Sequence, residues 1–366
     1  MKLALLGDIA LFGNMSISKN KNWKAYFSKV EQVLSGMDYV VGNLETPFSI
    51  KKKTNGAKSA YICSDVENID ILKHLHIHAV TLANNHIFDY GREGYEITKQ
   101  LLEENQIDWF GTEGKSLRIG CGGNKIAFEG FCCYSSNPLQ CVAYGQYGVN
   151  EFDVEKAKEL LFKHHIEGYL PIAAIHAGVE HVNYPSIDTI KVARMLSRVC
   201  PMIYYGHHPH VVQGMEENEQ SLIAYSLGNF CFDDVYSSAS DKPLITLSEN
   251  NRSTCILVVE IENNQIVSWQ TIPVFIGRES MEVGRGATIE KIKEYTCVIS
   301  QMTEDEYTTM RNGLISDYIS KRKQARNLMW YLKRLRPRYY RILKNAKKNK
   351  ESYNQRVARY ILNQVA

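Results

Sequence analysis

Tyr204-Tyr205-Gly206-His207-His208-Pro209-His210-Val211-Val212 places three imidazoles within four residues, directly after the apolar run at 202–205. An apolar run that stops at glycine and histidine reads as a buried strand whose end delivers nitrogen ligands into a cleft. Neutral imidazole is the commonest protein ligand for Zn, Mn and Fe. In an extended segment, His208 and His210 fall on one side at i, i+2, and His207 points away and is discounted as a ligand. The stretch therefore predicts a metal site at a strand end of an α/β scaffold.

Working outward, short apolar runs recur at 3–6, 39–41, 79–82, 107–110, 126–133, 170–175 and 222–225. Amphipathic stretches lie between them at 23–34, 66–75, 94–103, 154–164 and 187–199. That alternation predicts an α/β fold with polar loops at strand ends. The runs 254–261 and 266–275 flank Glu262-Asn263-Asn264-Gln265 and read as a β-hairpin that closes the domain. The boundary falls there: residues 1–276 as the α/β domain, 277–366 as a mostly helical, basic and aromatic-rich extension.

Within the extension, residues 321–350 hold thirteen Lys or Arg and no Asp or Glu, interleaved with Trp330, Tyr331, Leu332, Leu335, Tyr339, Tyr340, Ile342 and Leu343. Pro337 predicts two helices or one kinked helix. Such a segment suits anionic lipid headgroups or a synthase partner. The plainer reading is a helix that packs its aromatic face on the domain and leaves its cations in water.

The 43 basic residues nearly cancel the 40 acidic ones, leaving a formal charge of +3. The balance argues against a nucleic-acid partner for the chain as a whole. Nine cysteines form an odd set with no CxxC spacing, several inside apolar runs, which fits reduced, buried thiols better than a disulfide framework. Asp8 interrupts the apolar run after Lys2, so that run does not read as a signal peptide, and no stretch approaches the ~18 apolar residues of a spanning helix. The expected location is cytoplasmic, with the basic segment at the inner membrane face.

Five polar clusters follow the strands. Asp8, after Gly7, can face a cation from a sharp strand exit, although a capping aspartate is the simpler reading. Asn43 and Glu45 share one face if their strand continues, and an amide oxygen beside a carboxylate suits a hard or borderline cation. Asn84, Asn85 and His86 are poor β-formers, present for turn chemistry or ligation. His176 ends another strand, where a lone histidine is more often a hydrogen-bonded core residue, and Glu180 follows it. His208 and His210 complete the set, and Asn229 follows a strand near the same edge, where a turn role is equally natural. Binding crevices in α/β sheets lie outside the carboxyl ends of strands, so these clusters can converge. The coincidence of all five carries the metal reading.

The ordered motifs GDIALFG, VVGNLETP, TLANNHIFDYG, IHAGVEHVNYP, YYGHHPHVVQG and IAYSLGNFCFD, within residues 3–233, resemble the CapA family of capsule and poly-γ-glutamate biosynthesis proteins, related to calcineurin-like metallophosphoesterases. The resemblance implies a four-layer α/β/β/α sandwich with two divalent metal ions, Mn, Fe or Zn. It assigns Asp8 and His210 to one ion, and Asn85, His176 and His208 to the other. The bridging position falls at Asn43 or Glu45, with Glu45 preferred because it is anionic. It makes His86 the residue that protonates a leaving group, and puts Asn84, Glu180 and Asn229 in contact with substrate. Two departures weaken one metal position: Ala10 stands where such enzymes carry a DxH histidine, and Asn43 where they carry aspartate. In GHHPH an extra residue is absorbed by keeping the HxH pair at 208 and 210.

The implied activity is hydrolysis of a phosphorylated sugar or polymer intermediate in capsule or exopolysaccharide synthesis. A non-hydrolytic assembly factor with a degenerate site is the alternative, favoured by Ala10 and Asn43. Amide chemistry on poly-γ-glutamate is a third reading, carried by the family name alone. Substrate choice is expected in loops such as 51–57 and 237–252, which show no readable pattern.

Overall fold

In the computed structural model, residues 1–50, 60–133, 136, 141–237, 240–324 and 337–365 are described; the loop 51–57 and Trp330, Tyr331, Leu332 and Leu335 lie outside them. The strands are β1 (Lys2–Ile9), β2 (Tyr39–Leu44), β3 (Ala79–Thr81), β4 (Asp108–Phe110), β5 (Leu117–Cys121), β6 (Asn124–Cys132), β7 (Cys141–Val142), β8 (Val149–Asn150), β9 (Leu170–His176), β10 (Ile203–His207), β11 (Met215–Asn218), β12 (Ser221–Ala224), β13 (Asn229–Cys231), β14 (Val235–Ser237), β15 (Ser240–Ile245), β16 (Ser253–Glu262), β17 (Gln265–Ile276) and β18 (Met281–Val283). The helices are α1 (Trp23–Leu34), α2 (Ile69–His74), α3 (Gly91–Glu104), α4 (Val154–Ile166), α5 (Ile187–Ser197), α6 (Glu249–Arg252), α7 (Thr288–Gln301), α8 (Glu304–Gln324) and α9 (Pro337–Val365).

Two sheets form the frame. One runs β18-β17-β16-β1-β2-β3-β4, with β13 added parallel to the end of β1; the other runs β11-β12-β10-β9-β6-β5. Their facing surfaces share one apolar layer, in which Leu3, Leu5 and Val41 of the first sheet meet Phe128, Ile172, Ile203 and Tyr205 of the second. On the outer faces, α1, α2 and α3 bury Tyr26, Phe27, Leu72 and Tyr95 against the first sheet, and α4 and α5 bury Leu161, Ala193 and Leu196 against the second. The result is the α/β/β/α sandwich the motifs imply. Each buried Leu, Ile or Phe contributes roughly 1.5–3 kcal/mol through water exclusion.

Local chemistry sets the joints. Asp153 and Ser186 cap α4 and α5 by accepting the backbone N–H of Lys156 and Thr189. Asn263 and Asn264, at φ 52° and 62°, make the tight turn between β16 and β17 that the sequence predicts. Gly7 is needed for close approach rather than a sharp exit: a Cβ there would collide with the Gly228 carbonyl beside β13, and one at Gly206 with the Tyr225 carbonyl.

The short strands β5, β11, β13, β14, β15 and β18 escape the sequence reading because none carries a sustained apolar run. Pro337 stands in the first turn of α9, where its missing N–H leaves no intrahelical bond unmade. α9 lies against α5 with Val357 and Ile361 buried. Among the described residues no helix is long and apolar enough to cross a membrane.

Candidate metal centre

The C-terminal ends of parallel strands β1 and β2 in one sheet and β9 and β10 in the other open on the same place. Asp8, Asn43 and Glu45 are fully buried there, and Asn85, His176, His208 and His210 are at most 7% exposed. Seven polar side chains taken out of water together are costly unless paired or ligating.

Asp8 is the hub. Its Oδ1 accepts from Asn43 Nδ2 at 2.8 Å and from His207 Nδ1 at 3.1 Å; its Oδ2 accepts the His208 backbone N–H at 3.3 Å and lies 3.2 Å from His210 Nδ1. Burial alone would raise the Asp8 pKa, but hydrogen bonds from His207 and His210 outweigh it and hold the carboxyl well below the usual range. His207 is a correction to the sequence reading. β10 continues to His207, and Tyr205 and His207 alternate onto the face toward the first sheet, so His207 meets Asp8 instead of turning away. The extended-segment argument fails after it, because His208 and His210 both adopt positive φ, 96° and 58°. His207 Nε2 is buried and has no hydrogen-bond partner among the described residues.

A second group of atoms gathers around His176 Nε2. Asn85 Oδ1 lies 2.8 Å from it, His208 Nδ1 3.1 Å and Glu45 Oε1 3.6 Å. Glu45 Oε1 is also 3.8 Å from His210 Nε2, so the carboxylate stands between the two histidine groups. Burial, then repulsion from His208, lowers the His176 pKa well below its usual value, and burial pushes His208 down to about 4. Both are therefore neutral near pH 7, the form that ligates metals. Burial opposes protonation of His210, but Glu45 and the hydrogen bond to Asp8 raise it to about 10.

Oxygen and imidazole acceptors that face one another with few protons between them are the donor set of a divalent cation. Glu45, His208 and His210 each offer a ligand atom, all within 4.8 Å of one another. The residues fit a metal ion. Asn43 is turned the other way: its Nδ2 donates to Asp8 and faces His176 Nδ1 at 3.3 Å, and its Oδ1 takes the Asn84 amide. Glu45, two residues on, brings the carboxylate.

The remaining predicted residues divide by location. Asn84 is fully buried; its Nδ2 donates to Leu44 O and Asn43, and its Oδ1 accepts the N–H groups of His86 and Ile87, which shapes the turn that aims Asn85 and His86. His86 sits at the rim with Nδ1 2.6 Å from Asp89 Oδ2, and Asp89 is itself fixed by the Ile62 N–H. Asn229 Oδ1 accepts from His210 Nδ1 at 2.9 Å, orienting that ring. Glu180 accepts from Tyr318 of α8.

Three contributors have no role in the sequence reading, although Asp89 and His181 lie inside its motifs TLANNHIFDYG and IHAGVEHVNYP. Asp89 supports His86. The His181 ring lies 6.2 Å from that of His210, tilted by 38°. Asn251, presented by the Ser248 capping box of α6, donates to the His210 carbonyl. The capping pattern Ser248-x-x-Asn251 is the signal that could have found the last.

A family model described as "Bacterial capsule synthesis protein PGA_cap" matches residues 2–234. The chain is 28% identical over 255 residues to "PGA biosynthesis protein CapA" of Bacillus subtilis (strain 168), covering 67% of each chain. It is 27% identical over 276 residues to "Capsule biosynthesis protein CapA" of Bacillus anthracis, covering 71% of this chain and 66% of that one. It thus spans about two thirds of the length of these relatives. Among solved structures, a putative 5'-nucleotidase from Staphylococcus aureus is similar at a TM-score of 0.44 and 12% identity over 80% of this chain and 57% of that one, a likeness too distant to bear on function. With its sandwich, its ordered strand-end motifs and a match over residues 2–234, the chain belongs to the bacterial capsule synthesis protein PGA_cap family.

Proposed function

We propose that this protein is a metal-dependent, phosphoesterase-like hydrolase acting on a phosphorylated sugar or polymer intermediate in capsule, exopolysaccharide or poly-γ-glutamate biosynthesis. The observation that carries the reading is the convergence of Asn85 Oδ1, His208 Nδ1 and Glu45 Oε1 on His176 Nε2 among side chains at most 7% exposed. In this reading Asp8 and His210 hold one ion, Asn85, His176 and His208 a second, and Glu45 lies between them. A divalent cation bound there supplies Lewis-acid stabilisation of charge developing on a phosphoryl group.

The protein's own residues do the rest. Asp89 Oδ2 accepts the hydrogen bond of His86 Nδ1–H, which fixes the ring; the doubly protonated ring would give its Nε2 proton to a departing oxygen and return to the neutral Nδ1–H form. His86 lies close enough to influence His208 electrostatically. Asn229 and the two bonds of Asn251 lock the His210 loop, so the ligand atoms need little reorganisation on binding. The basic segment 321–350 would contact a membrane surface or a synthase; Tyr340 and Leu343 are exposed there.

The test is elemental analysis of the purified chain, coupled to hydrolysis of phosphomonoester and phosphodiester substrates with Mn, Fe or Zn. Close to two metals per chain and turnover that disappears in His176→Ala and His208→Ala are the expected results. A metal-free protein with no turnover under any metal overturns the reading in favour of an assembly factor.

A further inference from the structure

α8 lies beyond the family-matched segment, yet it runs along the loop that joins β9 to α5 and carries Glu180 and His181. Three of its side chains hold that loop. Tyr307 Oη donates to Pro185 O at 2.8 Å, Arg311 Nε to Tyr184 O at 2.9 Å, and Tyr318 Oη to Glu180 Oε2 at 3.1 Å. Positions 307, 311 and 318 recur at i, i+4 and i+11, which is one stripe of a helix. The loop is fastened on its other side to the histidine segment: the His181 N–H donates to Pro209 O at 2.7 Å, and Gln213 and Asn183 exchange bonds with Val182 and Val212.

His181 is the residue this clamp presents. Its φ of 62° is unusual for a side chain of its size. The Tyr318 ring lies 5.3 Å from it on one side, and the His210 ring 6.2 Å on the other. Asn251 fixes its tautomer. Asn251 Oδ1 takes the Ser248 N–H, so Nδ2 must face His181, 2.7 Å from Nδ1. Nδ1 is therefore the acceptor, and the ring proton sits on Nε2.

We propose that α8 completes the substrate cleft of the hydrolase described above: His181 is a substrate-contacting donor at the rim beside His210, and Tyr318 is the positioning residue that holds Glu180 and His181 in place. The inference rests on that reading of the site and adds that the extension after the family segment sets how tightly a phosphorylated ligand is held.

The experiment uses the full chain loaded with Mn(II). It measures kcat and KM for p-nitrophenyl phosphate, the affinity for inorganic phosphate by calorimetry, and metal content. Tyr318→Ala raises both KM and the phosphate Kd about tenfold, with kcat within about threefold and metal content unchanged. Tyr318→Phe keeps the ring against His181 and loses the bond to Glu180, for about threefold. His181→Asn, a residue that tolerates positive φ, weakens phosphate about tenfold.

Wild-type KM and phosphate affinity in Tyr318→Ala and His181→Asn overturn the proposal. So does a loss of metal content that parallels the loss of affinity in Tyr318→Phe, which would make α8 a general support. Where the wild-type chain binds phosphate with metal but turns nothing over, the hydrolase reading fails and the affinity arm alone decides this one. A wild-type chain that binds no phosphate sinks both.

Discussion

Two regions of the molecule bury imidazole against carboxylate, and they do it in opposite ways. On the outer face of the second sheet, Glu129 is fully buried and each of its oxygens receives a proton: His164 Nε2 lies 2.7 Å from Oε1, and Tyr144 Oη donates to Oε2 at 3.0 Å. His164 Nδ1 in turn faces Arg118 Nη2 at 3.1 Å. Donor meets acceptor at every step, and the network needs nothing further. At the strand ends, an amide oxygen, a second imidazole and the Glu45 carboxylate all face His176 Nε2, so three acceptors share at most one ring proton. Burial and residue type are alike in the two places. The ratio of protons to lone pairs separates a structural pair from a ligand set.

The largest test of that contrast is metal retention. His208→Ala should lose metal on dialysis along with any hydrolysis, whereas His164→Ala should keep wild-type metal content. With metal at a thousandfold over its dissociation constant, the wild-type chain should gain about 4 kcal/mol of stability by denaturant titration, and His208→Ala none. Equal metal loss in both variants would erase the distinction.

His164→Ala should instead cost stability, about 3 kcal/mol, because it strands a buried carboxylate oxygen and opens a cavity. Unfolding midpoints of wild type and variant measure it, and a cost below about 1 kcal/mol would mean that water satisfies Glu129.

The metal-free site should carry a pH signature. Burial pushes His208 down from its ordinary 6.5 to about 4 in the folded chain, so between those values the unfolded chain binds the extra proton. This group's contribution is fully present above pH 6.5 and is lost as pH drops toward 4, by about 3 kcal/mol, and His176, lowered in the same sense, adds to the fall. Metal binds the unprotonated ring and keeps the proton off the folded chain, so it should carry this slope to lower pH. A metal-free chain with flat stability from pH 7 to 4.5 contradicts the burial of a neutral imidazole.

The smallest effect belongs to Tyr144→Phe, which removes one of two donors to Glu129. It should cost about 1 kcal/mol and leave metal content and turnover alone. A change in turnover would show that the outer network reaches the strand ends.

Much of the site was legible because its residues violate the habits of strands. Asn and His at strand ends, and a carboxylate after Gly7, stand out against the apolar runs that precede them. Asp8, Glu45, Asn85, His176, His208 and His210 do converge. The role of His207 was not legible, since one more residue of strand and two positive-φ histidines decide where each ring points. Asn251 and Tyr318 were hidden for another reason. They sit 41 and 108 residues from His210 in sequence, and nothing local distinguishes them from an ordinary cap and an ordinary helical tyrosine.

The sequence by itself determined the elements and their chemistry: alternating apolar runs and amphipathic stretches, an Asn-Asn turn, and ligand-type residues wherever a strand stops. These follow from periodicity and residue type, which are local. Only the tertiary structure decided which ends share a cavity, which face of Asn43 meets Asp8, that Glu129 and His164 satisfy each other, and that α8 reaches the loop of Glu180 and His181. Those depend on two sheets packing face to face and on a helix laid across their loops. Such contacts join residues far apart in the chain, and no short window of sequence contains both partners.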